Sequence, residues 1–456
     1  MRRDRTELLL REPNLYKAIL ILALPVFGAN FMKAFNELVD TFFIGQIRDS
    51  VLAQAAVSMT WPVLNLFMAF QIGFGVAGVA LVSHLLGAGE RERARENAGV
   101  LLVVSVLFGV LLNLLLWLLT PPILTLMGAQ GQTLEYGILY LRIRSCELIF
   151  TGVFTAFQSV RQAQGDTVTP VALSVINVGI NIVLTGIFVQ VFGLGVAGAG
   201  LATVLGNVAV APVCLILMFS PRQPLYLSRR DLRLRRAVFR RLIRVATPAA
   251  FSQMLSSLGF VVLQMVLLSY GEATTAAFSI GNKVSNILLM PMLALGSVLA
   301  AYVGQNMGAG NGLRARKAYI ACRNMGLLVA VAGSLALFPL RGSLVQLLSN
   351  DLATQAAAFD YMFWVLLMQP FLSLFQNYLG AFNGSGHTGY SFLMSTLRLW
   401  AIRLPLILIF RLVTDVGANG VWYSMTISNF IILLIGFLLF RRIDFTADGI
   451  RDTGGA

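Results

Sequence analysis

The chain has 456 residues, 57% of them apolar and only 12% charged, with a net charge of +14. A water-soluble fold of this length needs a far more polar surface, so lipid must take the place of water around much of the molecule. The positive charge does not describe a nucleic-acid-binding face, because the basic residues flank long apolar runs and do not share one side of a polar domain.

Apolar stretches long enough to cross a bilayer, roughly 20 residues each, recur from end to end. Twelve are expected: 17–44, 53–82, 97–119, 134–160, 168–190 and 195–219, then 242–269, 274–303, 318–340, 353–381, 389–412 and 417–440. All should be helices, since backbone groups in hydrocarbon must be satisfied within their own segment. Arginines crowd alternate connections. Arg2, Arg3, Arg5 and Arg11 precede the first span, Arg91, Arg93 and Arg95 follow the second, and nine fall between Arg222 and Arg244. Arg314, Arg316, Lys317 and Arg323 follow the eighth span, and Arg441 and Arg442 end the twelfth. The positive-inside rule then predicts that both termini are cytoplasmic, in the cytoplasmic (inner) membrane of a bacterium. The first apolar run has no small-residue cleavage site after it and is expected to stay as a span. Cys146, Cys214 and Cys322 show no metal or redox spacing, so no metal site is expected.

The sequence repeats itself. Gly87-Ala88-Gly89 with Arg93-Ala94-Arg95 returns 221 residues later as Gly308-Ala309-Gly310 with Arg314-Ala315-Arg316. Pro25 is answered by Pro248, Gly165-Asp166-Thr167 by Gly386-His387-Thr388, and Gly195 and Gly198 by Gly417 and Gly420. The expected fold is therefore all-α, with twelve transmembrane helices in two pseudo-symmetric six-helix lobes. Residues 1–221 form the first lobe, 222–244 an arginine-rich cytoplasmic connector and 245–456 the second lobe. The connector alternates arginines with Leu232, Leu234, Val238, Phe239, Leu242 and Ile243; it is either a topology-fixing link or a helix lying on the anionic leaflet. Parallel repeats of this kind belong to transporters whose halves rock around a midplane site.

Ionisable residues inside spans are few, and each asks for a reason. Asp40, in the outer third of the first span, costs about 2.5–3.5 kcal/mol if ionised in the membrane, and such residues mark ion or proton paths; the alternative is simple solvation at the outer interface. Lys33, Asn36, Glu37 and Asp40 share one helical stripe. Lys33 and Glu37 either pair, leaving Asp40 to titrate, or Glu37 raises the proton affinity of Asp40 by like-charge repulsion. Asn177, Asn181 and Thr185 line one face of the fifth span, and Thr203 and Asn207 one face of the sixth. They are either interhelical hydrogen bonds of about 0.6 kcal/mol each or a network that responds to a proton on Asp40. Pro25 loosens the first span below Asp40 and is a candidate hinge. Arg144 and Glu147 are spaced for an ion pair, and Arg398 and Arg403 in the eleventh span leave the second lobe cationic; structural ion pairing or interface snorkelling is the simpler reading of these residues. Met59, Phe67, Met68, Phe150, Phe154 and Phe157 are candidates for an adaptable lining, or else ordinary core.

Asp40-Thr41-Phe42-Phe43-Ile44-Gly45 is close to the V-D-T-x-x-x-G signature of the multidrug and toxic compound extrusion (MATE) transporters. Gly87-Ala88-Gly89, Gln164-Gly165-Asp166-Thr167 and the Gly195–Gly200 turn also resemble that family, in the family's order and over essentially the whole chain. The acids that the NorM-like branch carries within its C-terminal lobe are not matched here, with Ser256 and Leu263 in the seventh span and only Asp360 near the outer end of the tenth, which points to the DinF-like branch. The resemblance implies that Asp40 binds and releases the coupling ion, and that Asn181 matches the family's fifth-span asparagine. Thr185 departs from relatives with a second acid there, which weakens a sodium site.

The expectation is thus a monomeric, proton-coupled antiporter, without cofactor, that exports small lipophilic, cationic drugs or dyes. Sodium coupling is the near alternative. A lipid-linked precursor flippase would want a cationic cavity, for which Arg398 and Arg403 are the hints. An intramembrane enzyme would need a nucleophile–base or metal constellation, and the scattered acids and peripheral His84 and His387 offer none. No Walker A pattern is present to bring in ATP.

Overall fold

The computed structural model describes residues 9–45, 50–349, 351–443 and 445, and these contain helices and no strand. Twelve spans follow in chain order. The first half holds α1 (Leu15–Gly45), α2 (Ser50–Gly87), α3 (Arg91–Leu126), α4 (Gly131–Ser145, then Glu147–Ala163), α5 (Val168–Gly186, then a π-helix Ile187–Val191) and α6 (Gly195–Phe219). The second holds α7 (Arg236–Leu268), α8 (Glu272–Gly308), α9 (Gly312–Leu337), α10 (Leu352–Gly384), α11 (Thr388–Thr396, a π-helix Leu397–Arg403, and Leu404–Val413) and α12 (Asn419–Arg441). A short helix, Arg341–Leu348, sits between α9 and α10.

Eleven of the twelve are single runs long and apolar enough to span a bilayer. The exception is α4, which is interrupted at Cys146 into pieces of 15 and 17 residues. At 1.5 Å per residue, the 38 residues of α2 extend about 57 Å, well beyond a hydrocarbon core of about 30 Å. The excess carries its polar end past the apolar run and into the Gly87–Gly89 turn. Prolines stand inside α1, α2, α3, α6, α7, α8 and α10 without ending them, as lipid-embedded helices tolerate.

The duplication is written into the backbone. The turn after α2 places Gly89 at φ 78° and the turn after α8 places Gly310 at 71°; the corners before α5 and α11 place Gly165 at 77° and Gly386 at 78°. A residue with a Cβ is strained in this left-handed region, so equal spacing of these glycines means equal chain reversals. Packing repeats as well. In the first half the Ser159 hydroxyl of α4 donates to the Gly75 carbonyl of α2 at 3.1 Å. At the same offset of 221 residues, Gly380 of α10 faces the Gly296 carbonyl of α8, so closely that an added Cβ would lie 2.5 Å from it. Gly384 repeats that contact one turn on, against Ala300. Small residues at i and i+4 let two helix backbones meet where lipid offers no hydrophobic drive.

The chain forms two compact units. One contains Gly28–Met254 and the other contains Arg11–Phe27 with the residues from Leu255 onward. Each of the matched helices α1 and α7 is therefore divided between units, within a few residues of Pro25 and Pro248. The connector belongs to the first unit. Leu225 and Leu227 are buried, Asp231 accepts from the amide and hydroxyl of Ser228, and Arg235 pairs with Glu96 of α3 at 2.7 Å. The last residues of the expected connector, from Arg236, are already helix α7.

Replacing Gly380 by valine is expected to drive α8 and α10 apart and remove the monodisperse folded protein seen by size exclusion. Ser159→Ala, which loses one hydrogen bond and adds no atoms, should cost about 1 kcal/mol and leave a folded protein. Equal behaviour of the two variants would contradict this packing.

Candidate functional site

In the first unit, α5 and α6 run antiparallel and are joined by a polar ladder. Asn177 Nδ2 donates to Asn207 Oδ1 at 3.0 Å, and Asn181 Nδ2 donates to Thr203 Oγ1 at 3.0 Å. Asn207 Nδ2 donates in turn to the Thr203 carbonyl at 3.0 Å, and Thr203 Oγ1 to the Ala199 carbonyl at 3.2 Å. The five residues singled out by their spacing thus lie along one seam, and four are bonded in two rungs. The antiparallel register puts Ala199 opposite the next position, Thr185. That threonine is fully buried, and its hydroxyl has no hydrogen-bond partner among the described residues. Asn181 is 2% exposed, so this end of the seam is dry.

The outer end of α1 lies against the same place. The Phe43 ring would stand 3.4 Å from a Cβ on Gly186, the residue after Thr185. Asp40 occupies the helical position three residues before Phe43, and Asn36 is one turn further back. The side chains of Glu37 and Asp40 lie outside the described residues. Lys33 is exposed and Asn36 half-buried. Pro25 sits inside α1, which continues through it as helix.

A second polar cluster surrounds the break in α4. Arg144 and Glu147 form an ion pair at 3.1 Å across Cys146, with Glu147 2% exposed. Ser145 Oγ reaches Asn113 Oδ1 of α3 at 2.7 Å, and Gln71 Nε2 of α2 donates to the carbonyls of Ser105 (3.1 Å) and Leu148 (3.4 Å). Gln71 bridges α2, α3 and α4 at the point where α4 restarts. Further along α4 the buried Arg161 donates to Gln223 Oε1 at 2.7 Å and to the Leu217 carbonyl at 3.2 Å, fastening this helix to the end of α6 and the connector. Sequence reading passed over Gln71, Asn113 and Arg161; a polar residue within an apolar run was the available signal for the first two.

Of the candidate lining residues, Met59, Phe67 and Met68 pack against a core of Val63, Leu64, Leu112, Leu116, Leu141 and Leu148 inside the first unit. Phe154 and Phe157 are in ring contact at 6.5 Å, and Phe157 is fully buried. Phe150 is half-buried on the same helix. The described residues hold no group of three or more His, Cys, Asp or Glu able to bind a metal.

Helix number, duplication and polar seam define a polytopic secondary-transporter architecture. The chain belongs to the MatE family, whose profile matches it twice, over residues 25–187 and 248–409. The two matches begin at Pro25 and Pro248 and so coincide with the repeat found in the sequence. Among curated relatives, the probable multidrug resistance protein YoeA of Bacillus subtilis is 24% identical over 94% of both chains. The probable multidrug resistance protein NorM of Thermotoga maritima is 23% identical over 91% of this chain and 89% of its own. A multidrug resistance MATE transporter of the MOP superfamily, solved in an outward-facing conformation, shares the fold with a TM-score of 0.90 at 22% identity, covering 97% of this chain and 98% of that one. The protein is a multi-pass membrane transporter and not an enzyme.

The buried pair at the α4 break gives a direct test. Arg144→Gln leaves the Glu147 carboxylate without its partner, which is expected to cost about 3–5 kcal/mol and lower the thermal unfolding temperature of the purified protein. Adding Glu147→Gln should recover most of that loss. A double variant no more stable than the single one would show that the pair does not carry this energy.

Proposed function

We propose that this transporter is a multidrug exporter of the DinF-like branch that exchanges lipophilic, cationic organic compounds for protons, with Asp40 as the coupling group. The observation that supports it most is the end of the α5–α6 seam. A buried, unpartnered Thr185 hydroxyl lies beside Asn181, and Phe43 of α1, one helical turn beyond Asp40, packs at Gly186. Amides and hydroxyls at such a seam bond a protonated carboxyl differently from a carboxylate, so a proton gained by Asp40 changes how α1 packs on α5 and α6. Pro25 gives α1 the freedom to respond. With both termini cytoplasmic and the chain acting as a monomer, the proton enters from outside and the substrate leaves by the same path in turn.

The driving force is adequate. A proton moving inward carries about 2.3 kcal/mol per 100 mV of membrane potential and about 1.4 kcal/mol per pH unit. Neutral amides and hydroxyls on α5 and α6 suit a proton relay better than a sodium site, which calls for several oxygen ligands.

The test is dye efflux from proteoliposomes under an imposed proton or sodium gradient. Native protein is expected to export ethidium under the proton gradient alone, Asp40→Asn to lose gradient-driven export, and Asn181→Ala to lose most of it. Export driven by sodium alone would replace proton coupling with sodium coupling. Undiminished export by Asp40→Asn would remove the coupling role from that residue.

A further inference from the structure

The second unit carries two arginines within one span, with no carboxylate paired to them among the described residues. Arg398 and Arg403 both belong to the π-helix Leu397–Arg403 of α11. In an α-helix, positions five apart point about 140° away from each other. The i→i+5 bonding of a π-helix brings such positions close to one face. This segment is fixed against α7, where the Trp400 indole Nε1 donates to the Leu255 carbonyl at 2.9 Å and Leu399 fills the space that Gly259 leaves open.

Arg403 is 7% exposed. Its Nε donates to Ser428 Oγ at 3.1 Å and its Nη2 to Asn429 Oδ1 at 3.2 Å, both on α12. Arg398 lies 4.0 Å above the Phe375 ring of α10, and its Nε is buried without a hydrogen-bond acceptor. Neither guanidinium forms an ion pair among the described residues. The described acids of this unit (Glu12, Glu272, Asp351, Asp360 and Asp415) stand in loops or toward the ends of helices. An arginine held within a span without a counter-charge is costly, and the two repel one another. The fork of an arginine matches a carboxylate or phosphate in two parallel hydrogen bonds.

We propose that Arg398 and Arg403 form a binding site for an anionic group, a carboxylate or a phosphate, borne by an amphiphilic organic molecule. Arg398 supplies an unanswered Nε–H and its charge, Arg403 the second charge, and Phe375 an apolar wall. Ser428 and Asn429 are positioning residues that hold the Arg403 fork. The site lies within the second unit and requires neither Asp40 nor an ion gradient, so it stands independently of the coupling reading. It extends the ligand class from cations to compounds that carry an acid, whether these are exported solutes or phospholipid headgroups.

Equilibrium binding of carboxyfluorescein to the purified full chain, read by fluorescence polarisation, tests this. It is measured in nanodiscs of phosphatidylcholine alone and of phosphatidylcholine with phosphatidylglycerol, with inorganic phosphate as competitor. Saturable binding is expected in phosphatidylcholine. It should weaken about tenfold or more in Arg398→Gln, as loss of a charge-assisted hydrogen bond implies, and be partly retained in Arg398→Lys. Ethidium binding should be unaffected. Competition by phosphatidylglycerol would assign the same site to a headgroup, and its absence would assign it to a soluble organic anion. The proposal is overturned if native protein fails to bind the dye, or if Arg398→Lys and Arg398→Gln, melting as native, bind it with native affinity. Should Arg398→Gln not fold, Arg398→Lys and Asn429→Ala decide by the same readout, and native affinity in both would overturn it.

Discussion

A charged side chain in hydrocarbon is costly unless something answers its charge, and that constraint organises what is known of this molecule. In some 450 residues the spans admit very few ionisable groups away from their ends. Arg144 and Glu147 answer each other across the break in α4. Arg161 is answered by carbonyl and amide oxygens at the end of α6. Arg398 and Arg403 have hydroxyl, amide and ring partners and no ion pair among the described residues. The first two arrangements balance their charges with groups of the chain itself and read as structure. The arginine pair lacks a counter-charge among the described residues, and the proposed anion would supply it.

The second constraint is close backbone approach. Where α2 meets α4, and where α8 meets α10, the contact is made by glycine or serine against a carbonyl. The first half adds a hydroxyl bond and the second dispenses with the side chain altogether. The same fold is therefore reached by two slightly different chemistries. A similar divergence appears at the corners before α5 and α11. Asp166 caps α5 through the Thr169 amide and hydroxyl, whereas His387 takes that position before α11, bonds Ser385 and stacks on Tyr390. Burial holds the His387 imidazole below its usual proton affinity, so the stability it contributes is complete above the ordinary histidine range and declines as pH falls through it.

Much of this was legible in the sequence, for reasons that can be named. Paired Gly-Ala-Gly turns and paired prolines, at offsets of 221 and 223 residues, announced the duplication, because a left-handed glycine and a span proline have few substitutes. The ladder was legible because Asn177, Asn181 and Thr185 keep a four-residue period that a lipid-facing helix has no use for. Other features left no such trace. The interruption at Cys146 coincides with tertiary contacts of Gln71 and Asn113, and nothing in the local sequence breaks a helix there. The π-helix in α11 packs Leu399 onto Gly259 of α7, well over a hundred residues away, and without the π-helix Arg398 and Arg403 would be read on different faces. Met59, Phe67 and Met68 carry the composition of an adaptable lining, and their packing against Leu112 and Leu116 is visible only in three dimensions. The division of α1 near Pro25, and of α7 near Pro248, follows from which neighbours each half-helix packs against and is likewise invisible along the chain.

The central claim is that substrate and proton compete through one carboxyl group of the first unit. It is tested most directly by following the pH of a weakly buffered solution of purified protein as a cationic dye is added. Native protein is expected to acidify the solution in proportion to dye bound, and Asp40→Asn to bind dye with no change in pH. Equal proton release from both proteins would place the titrating group elsewhere and contradict the account.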